Sequence, residues 1–379
     1  MIVQHPMLWC AVCLMAGIAV GLNYPLPYYL PMLVAGVIAC TLTIRTRHWH
    51  DSLTLIVWFL LGCSRAGIDC RQQTTDYRQQ SYAVGLGSVR TALIDRLERS
   101  GVSPQTLALC SALAVGEKSS LERDTKQAYR KVGASHLLAL SGMHLGILYS
   151  FIYLIFIRWV RHGKWRWHAL PFVLLCLWGY ALVAGMPVSL VRAALMLSIF
   201  TIISLMQYDT DPLHVLALSA IIILIFTPPT LLSISFQLSF AAVFFLLALW
   251  KPLTDLFPET NWAVKVLLSS CIASLGTMPL VTYYFHRLPL LAPLLSLVLI
   301  PMTTLIIYLT IAAMLLPVAP IGWLLNAAVS FQQKVIDFAG SISFATLTDV
   351  YPSVLMVALM YGAMIIAVIR LRTRPSTGL

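Results

Sequence analysis

Long apolar runs separated by short polar breaks dominate the chain. Runs with at most one Asp, Glu, Lys or Arg lie near 7–22, 26–44, 53–63, 136–157, 169–186, 188–207, 213–228, 231–250, 262–285, 290–316 and 349–369. Most approach the ~20 residues that an α-helix needs to cross hydrocarbon. The third is short and can extend to Ile68. Residues 320–341 differ, because Asn326, Ser330, Gln333 and Asp337 fall at i, i+4, i+7 and i+11. That spacing makes one polar stripe on a helix. Such a helix either lies flat in the membrane interface, the preferred reading, or faces a wet cavity. Pro289, Pro293 and Pro301 punctuate the 290–316 run, so a broken or re-entrant helix is expected there. The pattern predicts an all-α polytopic membrane protein of about 10–12 transmembrane helices, some of them broken or re-entrant. No repeat of fixed period is present.

Composition sharpens this picture. Of 379 residues, 59% are hydrophobic and 10% charged, against about 25% charged in ordinary soluble domains. A soluble globule cannot hide so much apolar surface. A soluble enzyme, a disordered chain and a disulfide scaffold are thereby excluded. The N-terminus lacks the basic flank of a cleavable signal, and its first apolar run passes directly into a second. Of the eight cysteines most sit in the apolar runs. Cys70 and Cys110 fall outside them, where they either pair in an oxidising compartment or stay free thiols.

The few charges are unevenly placed. Residues 64–135 hold 11 of the 25 basic and 7 of the 14 acidic residues. Three regions follow: N-terminal transmembrane helices over 1–63, an extracytoplasmic basic segment with amphipathic helices over 64–135, and a transmembrane domain over 136–379. With twelve spans and the N-terminus inside, Arg45, Arg47, Arg158, Arg161, Lys164, Arg166, Lys251, Lys265, Arg370, Arg372 and Arg374 are cytoplasmic. Among the short outer loops Arg287 is the exception to a near-absence of Lys and Arg, as the positive-inside rule expects. The long basic segment falls outside, which the rule allows because long segments cross largely regardless of charge. Arg123, Lys126, Arg130 and Lys131 are spaced to share one helical face. They can form an outer basic mouth or the solvated face of an ordinary amphipathic helix.

No catalytic motif survives inspection. His48-Trp49-His50-Asp51 lacks the spacing and the final histidine of a metal-dependent hydrolase motif. Gly116-Glu117-Lys118-Ser119 has Ser111 where a phosphate loop needs its first glycine. Ser135, beside His136, would need a histidine base from another helix, and nothing in the sequence places His214 or His286 near it. We therefore expect no enzyme, no metal and no cofactor.

Residues 133–148, GASHLLALSGMHLGIL, carry more information. On a helix His136 and His144 lie about 80° and about 12 Å apart, too far to share one metal ion. Ser141 and His144 are i, i+3 neighbours, and Ala139, Gly142 and Gly146 form a small-residue seam that admits another helix backbone. The histidines are either satisfied by neighbouring helices or functional, since intramembrane ionisable groups are costly. Arg192 is the only Lys or Arg between Arg166 and Lys251; it either snorkels to the interface or points into a polar cavity. Asp211-Pro212 reads as a helix N-cap followed by proline at N1. Gln237, in mid-helix, is interhelical glue or pore lining.

Taken in order, HLLALSGMHLGIL, AGMPVSLVRAALM, DPLHVLALSAIIILIFTPP, FQLSFAAV and MPLVTYYFHRLPLLAPLLSLVLIP resemble the competence domain of the ComEC family. The resemblance covers roughly residues 105–316 and the tail. It implies a multi-pass protein of the bacterial inner membrane that serves as a channel for single-stranded DNA in natural transformation. It also implies a separate helicase-like ATPase and a DNA-receptor protein as partners, beside membrane lipid; a second copy of the chain is a further candidate. His136, Ser141, His144, Arg192 and Gln237 are then candidates for the DNA path. Many members carry an OB-type domain before the HLLALSG helix, for which 64–104 is too short, and a metallo-β-lactamase-like nuclease domain, which is not expected here. Strand degradation is thus expected of another protein. The rival readings are a small-solute transporter or permease and a membrane assembly factor without transport.

Overall fold

A computed structural model describes residues 6–23, 54–64, 87–117, 119–138, 142–152, 166–206, 211–256, 261–342 and 346–373. In chain order the elements are α1 (Pro6–Asn23), α2 (Thr54–Ser64), α3 (Gly87–Arg99), α4 (Pro104–Val115), α5 (Arg123–Lys131), the single turn α6 (Ser135–Leu138) and α7 (Gly142–Ile152). There follow α8 (Arg166–Val183), α9 (Val188–Leu205), α10 (Pro212–Phe226), a 3₁₀ turn (Pro228–Leu232), α11 (Ile234–Leu256) and α12 (Trp262–Phe285). The chain closes with β1 (Arg287–Pro289), α13 (Ala292–Leu315), α14 (Ala319–Ser341), β2 (Thr346–Thr348) and α15 (Val354–Thr373). The protein is an all-α polytopic membrane protein, with one two-stranded ribbon that the apolar pattern does not announce. Five described helices, α9, α11, α12, α13 and α15, are long and apolar enough to cross a membrane, and six shorter apolar helices accompany them. The expected span over 26–44 lies outside the described residues.

Local sequence explains where the elements begin and end. Asp211 caps α10 through a 2.9 Å bond from the Leu213 amide, and Pro212 follows where its missing N–H costs nothing. Ser103 caps α4 in the same way, and Gly116, at φ 75°, closes it in the left-handed conformation. The expected break over 290–316 is not seen: α13 runs unbroken through Pro301. Pro293 sits in its first turn, where no hydrogen bond is lost. At Pro301 one backbone bond is forgone while the flanking helices α12 and α14 pack along the helix.

Two compact units are present. The first comprises residues 1–80 and 199–240. In it α1, α10 and the start of α11 share a core built on Leu14, Ile18, Leu224 and Phe236. Here α1 and α2 touch backbone to backbone: a Cβ on Gly17 would overlap the Phe59 carbonyl, and one on Gly62 would overlap that of Leu14. Small residues at such a crossing permit the dispersion contact that holds helices together in lipid.

The second unit comprises residues 81–198 and 241–379. Its largest core joins α3, α4, α5 and α6 to α13 and α14, around Leu97, Leu113, Tyr129, Leu137, Ile306 and Ile336. The charged stretch ahead of the HLLALSG motif is thus folded into the helical body, at least from Gly87 onward. Helix α4 is largely buried from Leu109 to Val115, including the free thiol of Cys110. Helix α14 carries its buried residues, among them Leu325, Gln332 and Ile336, toward this core. From its polar stripe, Asn326 reaches the α3–α4 turn: its Oδ1 accepts the Ser103 N–H at 2.9 Å, and its Nδ2 donates to the Gly101 carbonyl at 3.3 Å. A second cluster joins α7, α8 and α9 around Leu145, Val173, Leu177, Leu190 and Ala194. A third joins α11, α12 and α15, where Phe245 lies against Gly276.

Candidate functional site

The α7–α8–α9 cluster holds two of the ionisable residues singled out above. Helix α7 presents His144, which is 1% exposed, and α9 presents Arg192, which is 2% exposed. Both stand next to apolar members of the same cluster, Leu145 and Ala194. The two helices approach closely because Gly142 has no side chain: a Cβ there would lie 3.1 Å from the Cβ of Ala193. Nothing stands within 4 Å of a Cβ placed on Gly146. Ala139 and Ser141 lie outside the described residues. Arg192 is therefore buried within the protein, in the first half of α9. A guanidinium so placed must be met by polar groups or water, since an unmet buried charge costs several kcal/mol.

The remaining candidates are spread over other places. His136 is exposed on α6, with Nδ1 3.2 Å from the Gly133 carbonyl oxygen. It borders a narrow crevice lined also by Val132, Ala134, Ala292 and Ser296. Gln237 belongs to the first unit and donates through Nε2 to the Leu231 carbonyl at 3.1 Å, tying α11 to the 3₁₀ turn before it. On α5, Arg123, Arg130 and Lys131 are exposed and Lys126 is half-buried, while Tyr129 on the opposite side anchors the helix in the core. Burial pushes the Tyr129 hydroxyl well above its ordinary pKa. The basic face is thus held rigidly outward. Asp124 begins the helix and Arg130 and Lys131 end it, the order that favours the helix dipole.

Sequence reasoning passed over a second basic feature beside α5. Arg287 lies on β1, which pairs antiparallel with β2, and β2 is bound to the end of α5: the Thr346 hydroxyl donates to the Lys131 carbonyl at 2.6 Å. The signal available in the sequence was the isolated arginine in an outer loop; nothing in the sequence announced its partner strand.

Residues 113–374 match the family described as Competence protein. The chain is 30% identical over 258 residues to ComE operon protein 3 of Bacillus subtilis, an alignment covering 68% of this chain and 30% of that protein. It is 27% identical over 275 residues to Competence protein ComA of Neisseria gonorrhoeae, covering 69% of this chain and 37% of the relative. It is also 27% identical over 293 residues to the uncharacterized MG316 homolog of Mycoplasma pneumoniae, covering 76% and 70%. The chain thus spans about a third of the length of the two competence proteins. No solved structure matches.

Proposed function

Since the chain belongs to the competence protein family, we propose that it forms the path by which single-stranded DNA crosses the inner membrane during natural transformation. The match over residues 113–374 carries this reading, because it includes the helices that bear His144 and Arg192. Phosphates cannot cross hydrocarbon unpaired. A strand path therefore needs polar groups inside the helical body, held so that binding stays weak enough for release. On this reading Arg192 meets passing phosphates, and His144 and His136 contact phosphate or base. Ser141 and Gln237 add neutral hydrogen-bonding groups, and Ala139 and Gly142 let helices approach along the path, whereas Gly146 faces open space. A membrane-spanning path over 136–379, an outer segment over 64–135 and anchoring helices over 1–63 complete the arrangement. A separate helicase-like ATPase supplies the pull and a DNA-receptor protein supplies the strand.

The test is DNA uptake in a strain lacking the gene, complemented with the intact chain, His144→Ala or Arg192→Ala. Loss of uptake on deletion, and in both point variants at unchanged protein level, is the expected result. Unchanged uptake on deletion would overturn the channel reading. Point variants whose protein level falls would instead assign the two residues to packing.

A further inference from the structure

The ribbon β1–β2 occupies one end of the second unit and gathers residues from four places in the chain. Helix α12 ends at Phe285, and His286 turns the chain out through a left-handed backbone, φ 55°, with its N–H on the Thr282 carbonyl at 3.0 Å. Arg287 follows immediately and stands opposite Thr348 in the antiparallel pair. Past β2, Asp349 again takes a left-handed conformation, φ 63°, and the Val350 N–H returns to the His286 carbonyl at 3.3 Å. This brings the Tyr351 ring against the His286 ring, with centroids 4.4 Å apart and planes tilted by 35°. The ribbon also touches the end of α5. Thr346 binds the Lys131 carbonyl, and Pro289 lies where a side chain on Gly133 would be.

The result is a surface on which exposed cations and one exposed aromatic ring stand on an anchored backbone. Arg287, Arg130 and Lys131 are exposed, and Tyr351 is 70% exposed although one side of its ring rests on His286. No ion pair to Arg287 is formed among the described residues. Asp349 accepts the Thr348 hydroxyl at 3.0 Å and Asp337 accepts from Gln333 at 3.0 Å; these neutral donors fix the two carboxylates without cancelling their charge. Glu122 and Asp124 lie at the far end of α5. Two left-handed non-glycine residues flank the ribbon, a conformation that side chains adopt only at an energetic cost. The surrounding contacts therefore fix its position closely. A held aromatic ring and exposed cations on an anchored backbone offer what a single strand of nucleic acid recognises, by stacking a base and pairing phosphates. With twelve spans and the N-terminus inside, α5, Arg287 and the β2 turn fall on one, outer, side.

We infer that the β1–β2 ribbon with the end of α5 is a loading platform for single-stranded DNA, with Tyr351 stacking a base and Arg287, Arg130 and Lys131 holding flanking phosphates. This rests on the reading that the chain conducts DNA, and it adds where the strand is first held. The competing occupant is an anionic lipid headgroup, to which Arg and Tyr at a membrane boundary are also suited.

The test uses the full chain in phosphatidylcholine nanodiscs, with anisotropy of a fluorescent oligothymidylate as readout. Tyr351→Ala is expected to weaken binding about 10-fold, as stacking losses do, and Tyr351→Phe to keep it within about twofold. Arg287→Gln is expected to weaken binding and to lower the log–log salt slope by about 0.7, the contribution of one single-strand phosphate contact. Tyr351→Phe serves as the fold control, because it keeps the ring against His286. Wild-type affinity and slope in Tyr351→Ala and Arg287→Gln would overturn the platform. So would wild-type protein that binds no oligonucleotide. So would variants that lose only binding to phosphatidylglycerol vesicles, which would assign the surface to lipid. The uptake assay on the deletion strain judges the conducting role separately: if deletion abolishes uptake while these variants bind normally, the platform fails and the channel reading stands.

Discussion

The hold of α14 on the α3–α4 turn can be weakened at two neighbouring points, and the structure sets the size of each effect. A Cβ on Gly322 would overlap the Ser100 carbonyl, which is backbone and cannot rotate away. Gly322→Ala must therefore push α14 from the turn, an overpacking cost of roughly 2 kcal/mol within the usual range of 1–3. Asn326→Ala removes one good hydrogen bond, at 2.9 Å to Ser103, and one long one, at 3.3 Å to Gly101. The turn is exposed enough for water to replace both, so the loss is about 1 kcal/mol. Cys110 is a convenient reporter, because it is a free thiol with no exposed area inside the same core. When local opening is fast relative to alkylation, the rate at Cys110 follows the open population. At 1.4 kcal/mol per factor of ten, Gly322→Ala should speed alkylation about 30-fold and Asn326→Ala about 5-fold. Both changes act on one turn, so the double variant should stay near 30- to 40-fold instead of the roughly 150-fold that independence would give. The assay is maleimide labelling of the detergent-solubilised chain with peptide-resolved mass spectrometry. A change under about threefold in Gly322→Ala would refute the claim that this contact closes the core.

Three further outcomes follow from individual contacts. The Tyr129 hydroxyl is buried with no hydrogen-bond partner among the described residues. Tyr129→Phe should therefore be neutral or stabilising by up to about 1 kcal/mol, and a lower thermal midpoint in detergent would contradict this. Asp211→Ala removes the cap on the Leu213 amide and should cost about 1 kcal/mol, most of which Asp211→Ser recovers; equal thermal stability of all three forms would sink it. The Glu117 carboxylate is held below its ordinary pKa, first by the Ser119 hydroxyl and amide, then by Arg90 at 2.8 Å. Its folded value lies below its unfolded one, so the stabilisation is present above the unfolded value, about 4.3, and is lost as pH falls through the folded one. Glu117 is a third exposed, which limits the effect to about 0.5–1 kcal/mol. The gap between wild type and Glu117→Gln in resistance to proteolysis near residue 118 should be present at pH 7 and close in acid; a pH-independent gap would refute the ionic account.

The spans were readable because lipid imposes a one-dimensional rule. An apolar run of sufficient length must be helical, as with 262–285, which coincides with α12 at both bounds despite Lys265 near its start. The cap at Asp211 was readable because it depends on adjacent residues alone. Three features were not. Helix α4 is apolar, but it sits between charged stretches, and only its packing on α13 and α14 shows that it belongs to the core. The stripe on α14 was visible, yet Asn326 finds its partners in a turn more than 220 residues earlier. The ribbon joins three-residue strands separated by two long helices, and strands so short leave no period to detect. At the candidate site, the oddity of Arg192 and His144 was legible from composition. Their burial, and the glycine that lets their helices approach, needed three dimensions.

The placement of charge bears on how a polyanion could be handled without being trapped. Each buried cation must be kept dehydrated at a cost of several kcal/mol, offset only by well-placed partners. Once met by a phosphate in a low dielectric, it is also slow to let go. A row of such cations would stabilise the strand inside the membrane and stop it. The described spans avoid this: α9 carries Arg192 alone, and α12 and α13 carry no charge between Lys265 and the end of α13 other than Arg287 on the ribbon. Exposed cations, on α5 and β1, sit where water and salt screen them within about 10 Å. Attraction there gathers a strand and fades with salt. On the proposed reading, strong capture is thus left to the wet surface and weak, sparse contact to the interior, the ordering that lets a strand move inward and still leave.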